Sequence, residues 1–162
     1  MTLELHRSTD RFRQEHTDIT TELERASDMV ESLAVASKND QRETVSEIVE
    51  IFTRRIAPHS ELEEQVLYPV IDRHAGMGKF PFTSTMRHEH VIINRWIREL
   101  EELSKLPDVD VRVFSRRADQ LLGLIYAHFE DEEEVLLQVL DVTMTSEEFE
   151  WEILAKIRRY DH

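Results

Sequence analysis

No cysteine occurs anywhere in the 162 residues. That absence excludes disulfides, thiolate metal sites, iron–sulfur clusters and cysteine nucleophiles together, so any metal must be held by His, Asp and Glu. Glycine appears 3 times and proline 4 times. So few turn formers do not suit an all-β or mixed domain, and the chain is expected to be nearly all helix. Basic residues are outnumbered: Lys and Arg total 20 against 34 Asp and Glu, a net charge of −14. A surface of that sign repels phosphate backbones, and no basic patch with interleaved aromatics occurs, so neither nucleic acid nor an anionic membrane is an expected partner. Long apolar runs are missing too. No segment approaches the ~20 apolar residues of a membrane span, and residues 1–7 hold no signal-peptide core, which predicts a cytoplasmic protein. The length suits one domain, expected over residues 1–162.

What the chain does have is helical periodicity, interrupted at matching places by histidine and glutamate. One apolar stripe reads Phe114, Ala118, Leu121, Ile125, His128, Glu132, Val135, Val139, in steps of four and three, the period of a buried helix face. A first helix is expected from the N-cap cluster Ser8, Thr9 and Asp10, with Phe12, His16, Ile19, Leu23, Ala26, Val30 and Leu33 on one face. After a polar turn at 37–40, a second runs to about His74, with Val45, Ile48, Phe52, His59, Glu63, Val66 and Val70 facing one way. Pro58 predicts a kink just before His59, or a restart there. Residues 75–82 hold two of the three glycines and form the clearest break. A third helix opens near Thr83–Thr85 and aligns Met86, His90, Ile93, Ile97 and Leu100; the fourth follows a turn at 105–108 and ends near Asp141. A capping-box pattern at Thr145 and Glu148 starts a last helix of about 146–160. The expected fold is all-α: an up-down-up-down four-helix bundle over about 9–141, with an additional C-terminal helix.

The interruptions repeat. His59, Glu63, Glu64, Val66, Leu67 and Val70 align without a gap on His128, Glu132, Glu133, Val135, Leu136 and Val139, an offset of 69 residues. Glu15, His16 and Ile19 align on Glu89, His90 and Ile93 at an offset of 74. Each half is a helical hairpin, and two copies about a pseudo-two-fold axis bring four histidines and two glutamates into one core. Buried without partners, such groups would cost several kcal/mol per charge, against the ~5–15 kcal/mol of a whole domain's net stability. One or two cations remove that cost. His and Glu at i, i+4 share a helix face and can ligate one centre. This N/O set suits a dinuclear site, with iron fitting best and zinc or manganese as alternatives. Glu64 and Glu133 lie roughly 140° around the helix from their histidines and are expected on the flanks. Glu130, Asp131 and Glu134 read as a solvated face, and His6, His74, His88 and His162 as non-ligands.

These motifs, Glu-His on the first and third helices and His-x-x-x-Glu-Glu-x-x-Leu on the second and fourth, make the chain resemble the hemerythrin-like proteins of the HHE cation-binding type over roughly Thr9 to Asp141. The Glu-x-x-His of ferritin-like di-iron proteins and the His-Glu-x-x-His of zinc proteases are both missing. The resemblance implies two non-haem iron ions, oxo- or hydroxo-bridged, with His16, His59, Glu63, His90, His128 and Glu132 as metal ligands. It implies a protein that binds O2 or a related small ligand, or senses iron and oxygen status. The alternative is a di-iron enzyme acting on peroxide or nitric oxide, and a third reading is a structural module holding zinc. Oxygen-carrying hemerythrins have His-x-x-x-His on the third helix, where this chain has His90 and Asn94, and His-x-x-x-x-Asp on the fourth, where it has Glu133. No residue stands out as an acid or base beside the predicted ligands, Asn94 and Tyr126 being only near candidates, and this favours binding over turnover.

Overall fold

The computed structural model describes residues 7–76, 78 and 80–160, and among these every regular element is helical. His6 and His162 lie outside them. Helix α1 is Asp10–Ser32, α2 covers residues 38–74, α3 is Ser84–Ser104, α4 covers 111–143 and α5 covers 146–160. Contacts join α1 to α2, α2 to α3, α3 to α4 and α4 back to α1, which is the up-down-up-down bundle that short connections between amphipathic helices favour. Among the described residues no helix is long and apolar enough to cross a membrane.

Local chemistry sets most of the ends. Ser37 caps α2 by accepting from the Asp40 amide at 3.3 Å, and Asp110 caps α4 by accepting from the Arg112 and Val113 amides at 3.0 and 3.2 Å. Thr145 and Glu148 form the expected capping box at α5. Helix α1 departs from expectation: Thr9 occupies the N-cap but gives no side-chain cap, because its hydroxyl donates to Asp141 across the bundle. Gly76, at φ 74°, takes the left-handed position just after α2.

Two expectations need correction, the restart at Pro58 and the course of the α4 stripe. No restart occurs at Pro58, since α-helix runs unbroken from Lys38 to Leu62. The irregularity comes at Glu63–Leu67, where α2 makes a π-helical turn, and α4 makes its own at Glu132–Leu136, again 69 residues on. A π turn holds an extra residue, so every position beyond it changes face relative to an unbroken α-helix. The apolar stripe of α4 therefore continues through Leu136 and Leu140, 4% and 1% exposed, while the expected Val135 is 47% exposed.

The interior consists of two apolar clusters. The larger packs Leu23, Leu33, Ile48, Phe52, Leu100, Phe114, Leu121 and Ile125 from all four bundle helices. The smaller packs Phe12, Tyr68, Ile71, Leu137 and Leu140 under Phe149, Ile153 and Ile157 of α5, so the last helix seals one end of the bundle. Phe149 meets Phe12 edge-on at 6.2 Å. Each such side chain contributes about 1.5–3 kcal/mol by burial. A polar layer sits among these residues, and its members come from all four bundle helices.

Candidate metal centre

His16, His59, Glu63, His90, His128 and Glu132 are each 4% exposed or less. All six residues singled out in the sequence come together. They form two overlapping sets, His16, His59, Glu63 and Glu132, and Glu63, His90, His128 and Glu132, in each of which four ligand-type atoms lie within 4.8 Å of one another. The carboxylates belong to both sets, one oxygen to each side. Glu63 turns Oε1 to His59 Nε2 at 2.9 Å and His16 Nε2 at 3.6 Å, and Oε2 to His90 Nε2 at 3.2 Å. Glu132 turns Oε2 to His16 Nε2 at 3.3 Å and Oε1 to His128 Nε2 at 3.6 Å. The i, i+4 pairs supply the facing, and the π turn that begins at each glutamate places its carboxylate at the centre of the bundle.

Every imidazole presents Nε2 inward and gives Nδ1 to a carboxylate of an adjacent helix. His16 donates to Glu133 at 3.0 Å, His59 to Glu15 at 3.2 Å, His90 to Glu64 at 2.9 Å and His128 to Glu89 at 2.8 Å. Glu64 and Glu133 stand on the flanks, outside the inner layer, as expected, and each orients one histidine of an adjacent helix. Glu15 and Glu89, the first residues of the Glu-His pairs, do the same. This outer carboxylate fixes the tautomer, leaving Nε2 as the free nitrogen.

The inner atoms fit a cation. His16 Nε2, His59 Nε2, His128 Nε2, both oxygens of Glu63 and Oε2 of Glu132 are buried with no hydrogen-bond partner among the described residues. Buried polar atoms are almost always satisfied, so six orphans converging from three helices, α1, α2 and α4, call for a shared partner, and a cation satisfies lone pairs of both kinds. Residues 7–140 match the hemerythrin HHE cation-binding domain family. The chain belongs to that family. No curated protein and no solved structure gives a significant match.

In this hemerythrin-like domain the repeat reaches further than the histidine motifs. Thr9, Arg13 and Asp141 form one triad and Thr83, Arg87 and Asp72 the other, at the same two offsets. Arg13 meets Asp141 at 2.8 Å; Thr83 donates to Asp72 at 3.0 Å and accepts from Arg87 Nε at 2.9 Å. Each triad pins the start of one helix to the end of its neighbour beside the centre. The sequence carried these residues in register, but only a three-way comparison of the halves would have picked them out.

The halves are not identical. Tyr68, fully buried, donates from its hydroxyl to Glu132 and lies 3.3 Å from His90 Nε2, and its ring stacks on His90 at 5.3 Å. Sequence periodicity did not single it out; Tyr126, named in the sequence only as a near candidate, packs against the larger apolar cluster. Phe129 stacks on His16 at 4.1 Å and 5° and meets His59 edge-on. His88 is exposed, as expected, and so are Glu130, Asp131 and Glu134.

Charge balance follows from this packing. Burial alone would lower the histidines, but Glu132 and Glu63 outweigh it and raise His16 to about 9; Glu63 and Glu15 raise His59 to about 10. His90 is raised for the same reason, against burial, by Glu63 and Glu64. At His128 burial prevails and the imidazole is lowered. Glu63, despite complete burial, is held well below the usual carboxylate range by His59, His16 and His90. Burial first, then the charges of Glu63 and Glu132, raises Tyr68, which keeps its proton. Without a cation, the centre holds protons in its place.

Proposed function

We propose that this protein holds a non-haem di-iron centre and binds O2 or a related small ligand there, or reports iron and oxygen status. The observation that carries the reading is the orientation of Glu63 and Glu132, each with one oxygen in each four-residue set, as carboxylates shared between two metals require. His16 and His59 would ligate one metal, and His90 and His128 the other, all through Nε2. Two imidazoles and two shared carboxylate oxygens per metal leave coordination positions for a small ligand. The sulfur-free set of imidazoles and carboxylates suits iron, with zinc and manganese as the alternatives. Bound iron supplies reversible one-electron chemistry and an affinity for small diatomic ligands. The chain itself supplies orientation, through the four outer carboxylates, and an apolar surround of Phe129 and the two apolar clusters.

A second reading, turnover of peroxide or nitric oxide, is favoured by Tyr68, a buried hydroxyl in the inner layer that can donate a hydrogen bond or a proton. Metal analysis and the visible spectrum of protein purified in air test the proposal. Two irons per chain with oxo-bridge absorption are expected; colourless protein holding zinc or no metal would refute both readings. An anaerobically reduced sample that reoxidises without a stable adduct, and consumes peroxide catalytically, would shift the conclusion to the enzyme.

A further inference from the structure

Four of the chain's 20 basic residues line one groove, in a protein whose net charge is −14. The groove runs between α3 and α4 on the outside of the bundle and has a volume of about 670 Å³. Helical spacing builds it: Arg95, Arg98 and Glu102 recur at steps of three and four along α3, and Val113, Arg116 and Gln120 do so along α4. Its end near the turn between these helices is apolar, lined by Leu103, Leu106 and Val113, the last two 47% and 46% exposed. The acids that line it are already taken. Glu99 pairs with Arg117 at 2.8 Å and Glu102 with Lys105 at 3.1 Å. Arg117 also donates to Gln120 at 3.1 Å and lies over the Trp96 ring at 4.8 Å, so one wall is fixed. Arg95, Arg98 and Arg116 have no carboxylate partner among the described residues, although Asp and Glu outnumber Lys and Arg by 34 to 20. The groove stands apart from the metal centre, since His90 and Leu103 are 13 residues apart on α3, roughly 20 Å of helix.

We infer that this groove docks an acidic amphipathic helix of a partner protein. Three uncompensated guanidinium groups favour an occupant that brings carboxylates, and arginine forks bind carboxylates in pairs while their stems offer apolar contact. The apolar end calls for apolar side chains on the same occupant. A helix with apolar residues at i, i+3, i+4 and i+7 and Asp or Glu along both flanks supplies the two together, and its ridge seats between two packed helices. A second copy of this chain in a two-fold contact through the same face does not suit it, because Arg95, Arg98 and Arg116 would meet their own equivalents. Nucleic acid is opposed by the remaining surface, whose acidity repels a phosphate backbone. The inference uses no residue of the metal centre and stands whether or not metal binds there.

The probe is a fluorescein-labelled synthetic peptide of about 16 residues, enough for roughly 24 Å of helix. It carries leucine at i, i+3, i+4 and i+7 and glutamate on both sides of that stripe. Fluorescence anisotropy against the full chain is expected to show saturable binding that weakens as salt rises through about 0.15 M. The double variant Arg98→Glu, Arg116→Glu should weaken binding about tenfold or more, and Leu106→Asp comparably, whereas Arg159→Glu on α5 should stay within about twofold of wild type. All four positions are exposed, so helical circular dichroism should be unchanged in every variant. A peptide of the same composition, shuffled so that its leucines share no face, should bind about tenfold more weakly. Equal affinity for the two peptides, equal affinity in wild type and the double variant, or no saturable binding at all would overturn the inference. So would self-association of the chain, measured by sedimentation, that the double variant abolishes, because a second copy would then be the occupant.

Discussion

Glu133 offers the cleanest test of the outer carboxylates. Its side chain makes one polar contact, accepting from His16 Nδ1 at 3.0 Å, and the contact from Arg13 goes to its backbone carbonyl, which alanine keeps. The side chain is 31% exposed, so truncation opens no sealed cavity and should cost the fold little. What is lost is the group that holds the His16 ring with Nε2 inward and raises its basicity. Removing such a partner costs roughly 10–100-fold in metal affinity, equivalent to about 1.4–2.7 kcal/mol. His16 belongs to one of the two sets only, so the loss should fall on one of two binding steps. Anaerobic titration of the metal-free protein with ferrous iron against a competing chelator resolves both constants. The expected outcome for Glu133→Ala is one constant weakened by that factor and the other within about threefold of wild type. Two constants within twofold of wild type would refute the orienting role. Glu64→Ala is the poorer test, because it also releases Arg87.

Glu132→Ala removes a carboxylate common to both sets and should reduce bound iron to one or none per chain, measured by metal analysis on protein whose helical circular dichroism is intact. The raised His16 and His59, about 9 and 10, give the metal-free fold a contribution that is full below the unfolded value of 6.5 and lost as pH rises through 9 to 10; the depressed Glu63 contributes above 4.5 and is lost below it. The lowered His128 acts the other way, contributing above 6.5 and losing that below it, so thermal melts of the metal-free protein should peak near 6.5 and fall both toward 4.5 and toward 9 to 10, whereas metal uptake should release protons and tighten as pH rises from about 6 to 9. A flat melting profile across that range would contradict the assignment. Phe149→Ala, which empties a buried site between α5 and Phe12, should cost about 3–5 kcal/mol in denaturant unfolding. A loss under 1 kcal/mol would mean that α5 is not part of the cooperative unit.

The bundle and its six inner residues were legible because polar residues inside an apolar stripe violate a strong rule, and two violations at one spacing suggest one device. His16 and Glu132 needed nothing more than the period of 3.6. What stayed hidden was whatever breaks that period. A fixed 100° per residue puts Val135 inside and Leu136 at the edge, and the π turn at Glu132 reverses them. Nothing in the pattern marks a π turn: the fourth helix makes one at a glutamate of the inner layer, while the last helix makes another at Glu150–Leu154, where only Ile153 is buried. Of the two outcomes Pro58 allowed, the restart does not occur, since the helix runs on through it to Leu62. Glu64 and Glu133 were visible as repeated residues, but their role depends on a histidine of another helix. Tyr68 was concealed by ordinary apolar neighbours, and only its mismatch with Leu137 across the repeat could have exposed it.

The sharing of Glu63 and Glu132 between both sets has a consequence for how such a chain could arise. Neither hairpin alone contains a complete set, so a free-standing half would make the centre only by pairing with its twin across a true two-fold axis. Such a dimer must carry the same residue on both sides, a tyrosine twice or a leucine twice. Covalent fusion of the halves lifts that restriction. Once joined, Tyr68 and Leu137, or Ser60 and Phe129, can diverge under separate selection. One ancestral position becomes two, free to specialise while the scaffold between them stays symmetric.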